Sequence, residues 1–225
     1  MQKQFLSILL MLLAGAVSAQ NYTSQEDSDP QAKKILQKMR LKYEAYPVME
    51  AAFTLTFEIP EQPVETQKGT LIQQGEKYRL NLHDRTIVSD GKSVWLYVPK
   101  NKEVQINDVD DETEEGTINS PKDLFRAYEW KNYIYALLDE FSEKGRVIQQ
   151  IEFKPIAKDS DFSKIRLTLD KKTLDVVSIK SFSKDGSRYT LDVNKLSSGG
   201  TVSPTTFTFS KTDCPACHFE DLRID

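Results

Sequence analysis

Two different periods of apolar residues divide the chain. Between residues 32 and 43 apolar side chains recur at helical spacing, and Asp29-Pro30 offers an N-cap followed by proline at the first helical position. This pattern predicts an amphipathic helix that ends near Tyr46, just before Pro47. From Met49 onward apolar and polar residues alternate, which is the period of a β-strand.

The alternating part predicts about ten or eleven antiparallel strands in up-and-down order. Val88 to Tyr97 is the most recognisable stretch, because Asp90-Gly91 is typical of a two-residue hairpin turn with positive φ at both positions. The later strands are expected at residues 132–140, 146–154, 164–170, 176–183, 188–194 and 207–209. So many twisted strands should curl and close fully or partly into a barrel.

Two stretches interrupt the strands. Ser120-Pro121 begins a second helix signature that runs to Tyr128, with Leu124 and Phe125 on its apolar face. Asp108 to Gly116 is strongly acidic, and we interpret it as a solvated loop. Its acidic residues lack the turn glycine and the fixed ligand offsets of a calcium loop, so no metal site is predicted there.

The first 19 residues have the three-part pattern of a signal peptide. Lys3 is followed by an apolar run and by Val17 and Ala19 at the −3 and −1 positions, which places cleavage before Gln20. We therefore expect an exported protein with a polar, disordered segment at 20–28 and a single domain at 29–225.

Charge and composition exclude several classes of function. The formal net charge is −4, and it becomes −5 without Lys3, so nucleic acid is not an expected partner. The only histidines are His83 and His218, and no nucleophile elbow, phosphate-binding loop or zinc-protease motif is present. We predict that the protein is not an enzyme and that it needs no cofactor.

Cys214 and Cys217, the only cysteines, form a C-P-A-C-H sequence with His218 near the end of the chain. Three interpretations stay open: a local disulfide or two incidental thiols, a c-type haem attachment site, and a redox dithiol. The first is favoured, because small cytochromes are mainly helical and no βαβ unit surrounds the cysteines.

Several short motifs resemble the LolA family of periplasmic outer-membrane lipoprotein carriers. The S-D-G-K-x-x-W-x-Y sequence at 89–97 is the most specific of them. The others occur in family order across nearly the whole chain, at 52–56, 69–71, 103–105, 120–121 and 207–209.

The resemblance implies a mainly β (α+β) fold, an incomplete antiparallel β-barrel whose concave apolar side is covered by helices. It implies a monomeric carrier that takes acylated lipoproteins from an inner-membrane ABC transporter and passes them to an acceptor at the outer membrane. We expect the acyl chains to contact Phe53, Leu55, Phe57, Leu80, Leu82, Val94, Leu96, Ile165 and Leu167. The corresponding lid would be formed by Ile35, Leu36, Met39, Leu124 and Phe125.

This chain also departs from the family pattern. Family members have a K-R-P sequence after the G-x-L motif, and its arginine closes the lid, whereas Leu71 is followed here by I-Q-Q-G-E. The rival interpretation with the same fold is a half-barrel lipid- or lipoprotein-sensing or scaffold protein of the envelope, which would bind a protein partner. Alternation leaves open whether Val94, Leu96 and Val98 or Trp95 and Tyr97 face the cargo.

Overall fold

The computed structural model describes residues 24–109 and 132–223. They contain one α-helix, α1 (Pro30–Glu44), and one twelve-stranded sheet. The strands are β1 (Met49–Glu58), β2 (Glu65–Gln74), β3 (Lys77–Asn81), β4 (Thr86–Ser89), β5 (Ser93–Val98), β6 (Glu103–Asp108), β7 (Tyr133–Glu143), β8 (Arg146–Pro155), β9 (Phe162–Asp170), β10 (Val176–Ser183), β11 (Arg188–Ser198) and β12 (His218–Asp221).

Helix α1 starts as the sequence predicts. Asp29 is its N-cap, and the Asp29 side chain accepts a hydrogen bond from the Gln31 N–H. The helix ends at Glu44, slightly before the expected end. Within the segment 20–28 that the sequence predicts to be disordered, Gln25–Asp27 form a 3-10 turn, while 20–23 lie outside the described residues.

The sheet is built from two meanders. β1 to β6 pair in sequence, β7 to β11 pair in sequence, and β1 pairs with β11 to join the two groups. β12 is added in parallel to β6, so β12 and β7 are the two edges of the described sheet. The sheet is therefore an open half-barrel, as expected from the sequence.

Three local predictions are wrong. The hairpin loop is longer than two residues, and only Gly91 in it has a positive φ, of 88°. The Asp90 side chain instead accepts hydrogen bonds from the N–H groups of Lys92 and Ser93, which turns the chain without a second positive φ. The predicted strand at 207–209 is not formed, since Pro204–Phe207 is a 3-10 turn, and β12 was not predicted.

The two faces of the sheet carry different cores. The inner face, on which α1 lies, packs against Leu36 and Met39 of the helix. The opposite, outer face carries a second cluster, here called the outer cluster, on β4 to β6. It consists of Val88, Val104 and Phe209 with Trp95, Tyr97, Cys214, Cys217 and Phe219 packed against them.

The predicted second helix at 120–128 and most of the acidic loop at 108–116 lie outside the described residues. Across 24–109 and 132–223, no helix combines the length and the apolar character needed to cross a membrane.

Candidate functional site

Apolar side chains form continuous rows across the inner face. In an antiparallel pair, residues directly opposite each other project from the same face of the sheet. One such row runs from β5 to β11 through Leu96, Ile87, Leu80, Leu71, Ala51 and Leu196. A second row runs from β1 to β7 through Leu55, Leu191, Ile179, Leu167, Ile151 and Leu137. Together they cover the inner face across ten of the twelve strands, all except β6 and β12.

All nine residues predicted to line the groove lie on this inner face. Leu55, Leu80, Leu96 and Leu167 belong to the two rows, and the alternation along each strand places the other five on the same side. Those five are Phe53, Phe57, Leu82, Val94 and Ile165. Their contact with a ligand stays a prediction. Trp95 and Tyr97 pack instead in the outer cluster, so within β5 the aliphatic row is the one that shares a face with α1.

The residues of the predicted lid are divided between described and undescribed parts of the chain. Leu36 and Met39 are buried in the inner-face core, and Ile35 packs against the same core. Leu124 and Phe125 lie outside the described residues. Helix α1 therefore occupies part of the apolar face with the three residues that the sequence indicated.

Sequence reasoning missed about half of the inner-face residues. Ile87, Leu71, Ile179 and Ile151 complete the rows, yet they were not predicted to line the groove. Alternation marks such residues within one strand, but the row they form depends on strand pairing. Leu191 illustrates the local pattern, because Tyr189, Leu191 and Val193 are apolar at every second position of β11.

Two residues, Lys42 and Tyr43, hold the end of α1 to the loop between β9 and β10 and to the start of β10. The ammonium group of Lys42 pairs with the Asp175 carboxylate and donates a hydrogen bond to the Thr173 carbonyl, at 2.7 Å. Next to it, the Val176 N–H donates to the Tyr43 hydroxyl oxygen at 2.9 Å, and burial raises the pKa of that hydroxyl. These contacts fix the C-terminal end of the helix over the inner face.

The start of α1 is anchored to the sheet edge. Besides capping the helix, the Asp29 carboxylate accepts a hydrogen bond from the Leu137 N–H of β7, and the Ser28 hydroxyl accepts one from the Tyr135 N–H. The same residues border a cleft of about 720 Å³ between the 3-10 turn, α1 and β7, with Ile134 on its apolar wall. No local signal could predict this cleft, because its walls are more than a hundred residues apart.

The half of the inner face on β3 to β5 is less completely buried than the half under α1. Leu80, Ile87, Val94 and Leu96 are half-buried and belong to neither of the two cores. A surface of half-buried aliphatic side chains next to a packed helix can exchange contacts with an apolar ligand. This part of the face is the candidate binding surface.

The cysteines are remote from this surface. Cys214 and Cys217 form a disulfide that packs against the outer cluster, on the opposite side of the sheet. A cysteine in a disulfide has no thiol for a thioether bond to haem, so the oxidised pair acts as a covalent link within the C-terminal segment.

An open half-barrel with an apolar inner face defines the structural class. The family described as outer membrane lipoprotein carrier protein LolA matches residues 46–210. The match covers well over half of the chain, and the protein belongs to this family. Helix α1 and the disulfide lie on either side of the matched region. A comparison with curated proteins found no match.

Several solved structures are similar to this chain at low sequence identity. An uncharacterized conserved protein from Thermus thermophilus superposes with a TM-score of 0.56 and 13% identity, covering 86% of this chain and 99% of that one. A LolA superfamily protein from Nitrosomonas europaea gives 0.41 and 13%, covering 79% and 97%. Lipoprotein LppX from Mycobacterium tuberculosis gives 0.46 and 8%, covering 78% and 100%.

Proposed function

We propose that this protein carries lipoproteins across the periplasm by binding their acyl chains on its inner face, without catalysing a reaction. The observation that supports the proposal most directly is the pair of apolar rows across the inner face, in a chain that belongs to the LolA family.

The energetic need for such a carrier follows from the hydrophobic effect. Each methylene group that leaves water contributes about 0.8 kcal/mol. An acyl chain therefore cannot cross an aqueous compartment uncovered, whereas half-buried side chains such as Leu80 and Leu96 offer it an apolar surface.

Delivery also requires that the cargo leaves again. Helix α1 buries Leu36 and Met39 against the neighbouring half of the same face, so an acyl chain that extends beyond β3–β5 competes with the helix for apolar contacts. A surface that the protein can cover with its own residues binds cargo with moderate affinity, which suits transfer between two membranes.

The proposal includes the route. Residues 1–19 act as a cleaved signal peptide, an inner-membrane ABC transporter loads the monomeric carrier, and an acceptor at the outer membrane receives the cargo.

A release assay tests the function. Inner-membrane vesicles with a labelled triacylated lipoprotein and ATP are incubated with the purified protein, and the soluble lipoprotein is measured. We expect release by the wild type and strongly reduced release by Leu80→Asp/Leu96→Asp, because charged groups on the inner face oppose acyl binding. Leu41→Asp is the matched control, since Leu41 is 64% exposed on α1.

Absence of both release and acyl-chain binding in the wild type contradicts the carrier proposal. Acyl-chain binding without any release from the vesicles favours the sensor or scaffold alternative instead.

A further inference from the structure

A basic patch surrounds Phe182 on the outer face of the sheet, away from the inner-face rows. Four positively charged groups lie 5.1–5.9 Å from the centre of the Phe182 ring. We define the basic patch as these four residues and Lys154, with the two carboxylates they contact. Its members are Lys154, Lys164, Arg166, Lys180, Arg188, Glu58 and Glu152.

Strand register builds the patch. Lys164 and Arg188 lie directly opposite Phe182 on the two neighbouring strands, β9 and β11. Lys180 precedes Phe182 by two residues on β10, and it lies directly opposite Arg166 on β9. Because residues two apart share a face, all four cations project from the outer side around one ring.

The patch keeps a positive charge after its internal ion pairs are counted. Glu152 contacts Arg166 at 2.9 Å and both Lys164 and Lys154 at 3.5 Å, while Glu58 contacts Lys180 at 2.9 Å. Five cations therefore face two carboxylates, and the net charge of the patch is +3. The whole chain has a net charge of −4, so this local charge opposes the rest of the molecule.

The cations of the basic patch repel one another, and the apolar inner face on the other side of the sheet does nothing to reduce that repulsion. Cations grouped around one ring lie within about one Debye length of each other at physiological ionic strength, which is about 8 Å. Their attraction to the Phe182 ring and to two carboxylates offsets part of this repulsion. An anionic partner would offset the remainder.

We propose that the basic patch is a docking surface for an acidic segment of a protein partner. Charge complementarity selects an anionic partner, and three features favour a protein. Arginine next to a central aromatic residue is typical of protein interfaces. The guanidinium groups of Arg166 and Arg188 can each bind a carboxylate through two parallel N–H donors. A membrane surface would also meet Glu58, Glu152 and the negative charge of the whole chain.

The docking surface is separate from the proposed acyl-binding surface. Lys164 and Ile165 are neighbours on β9, but their side chains project from opposite faces of the sheet. A partner could therefore hold the protein by its outer face while the inner face binds cargo, and the loss of one interaction leaves the other testable.

The test uses a fluorescein-labelled peptide of alternating glutamate and serine, with a glutamine and serine peptide as its uncharged match. Fluorescence anisotropy at low salt measures binding to the purified wild type, to Lys164→Gln/Arg188→Gln, and to Lys33→Gln/Lys34→Gln. The last variant removes the same charge from the exposed side of α1. In parallel, co-sedimentation measures binding to phosphatidylglycerol and to phosphatidylcholine vesicles.

We expect the acidic peptide to bind the wild type and the α1 variant equally, and to bind the patch variant about fivefold more weakly, as expected for the loss of two exposed charge contacts. The glutamine peptide should not bind. Equal weakening in both variants, absence of acidic-peptide binding, or a stronger patch-dependent binding to phosphatidylglycerol vesicles would each overturn the proposal. Thermal unfolding of both variants checks that they are folded.

Discussion

The Phe53 ring lies over Gly69, which has no side chain, at the point where the ring comes closest to β2. A Cβ atom at Gly69 would lie 2.3 Å from Phe53 Cζ and 3.0 Å from Leu82 Cδ2. Both neighbours belong to the inner face, which explains why a glycine occupies an otherwise regular strand.

We expect Gly69→Ala to lower the free energy of unfolding by about 1–2 kcal/mol, because overpacking forces the Phe53 ring to move. Urea unfolding of Gly69→Ala, Phe53→Leu and the double variant measures the effect. In the Phe53→Leu background the alanine should cost clearly less, since the ring is gone. Strict additivity of the two substitutions would contradict the steric explanation.

The surroundings of Glu152 determine how its contribution to stability depends on pH. Burial by itself would raise the pKa of this carboxyl group, but the Arg166 hydrogen bond and the charges of Lys164, Arg166 and Lys154 outweigh burial and lower the pKa. The carboxylate thus stabilises the folded state above the ordinary glutamate pKa of about 4.3. The contribution disappears as the pH falls through the lowered pKa.

Glu152→Gln should therefore destabilise the protein by about 1–2 kcal/mol at neutral pH, where it leaves three cations without their shared carboxylate. The difference from wild type should shrink as the solution becomes acidic. Urea unfolding at several pH values measures it, with exposed Glu65→Gln as the control. A difference that is independent of pH would show that the charge of Glu152 is not responsible.

Among the elements, β12 is held by unusually few contacts. It has four residues, pairs with β6 on one side only, and is exposed except for Phe219. The disulfide just before it closes a very short loop and packs on the outer cluster. We attribute the position of β12 to this link together with the Phe219 contact to Phe209, whose ring centres are 6.3 Å apart.

Reduction of the disulfide should release β12 without unfolding the sheet. A loop this short contributes about 2 kcal/mol or less to stability. Hydrogen exchange with and without reductant should show faster exchange at the His218 and Leu222 amides, which donate to the Lys102 and Ile106 carbonyls. The β1 and β11 amides act as the internal control. Unchanged exchange in β12 would mean that the strand does not depend on the disulfide.

The success of the sequence predictions varies with the burial of each element. β1 could be predicted because Phe53, Leu55 and Phe57 share the inner face and alternate with Thr54 and Thr56. β12 could not, since an exposed four-residue edge strand has no such pattern. Phe207 and Phe209 alternate like a strand, but Pro204 starts a 3-10 turn and both rings are buried by other contacts.

At the scale of the whole molecule, the inner face depends on pairings that are distant in sequence. Alternation places Leu55 and Leu167 on one side of their own strands, but nothing local indicates that Leu191 and Ile179 lie between them. The sequence could therefore predict the members of the apolar face without the rows that connect them. The number and twist of the strands predicted the overall curvature, the resemblance implied that the barrel is incomplete, and strand register determines the rest.

Competition between α1 and cargo gives the last prediction, which depends on the proposed acyl-binding function. Lys42 attaches the end of α1 to Asp175 and to the Thr173 carbonyl, and neither partner belongs to the apolar rows. Removing this attachment weakens the packing of α1 on the inner face without changing any residue of the candidate binding surface. The free energy of unfolding and the apparent affinity for acyl chains should then change in opposite directions.

We expect Lys42→Ala to lower the free energy of unfolding by about 0.5–1 kcal/mol, which allows for screening of a partly exposed pair. The same free-energy difference should strengthen binding of a fluorescent palmitic acid analogue by about two- to fivefold. Lys38→Ala, which removes an exposed lysine of the same helix, should change neither quantity. A Lys42→Ala protein that is less stable but binds no more tightly would show that α1 does not compete with the ligand.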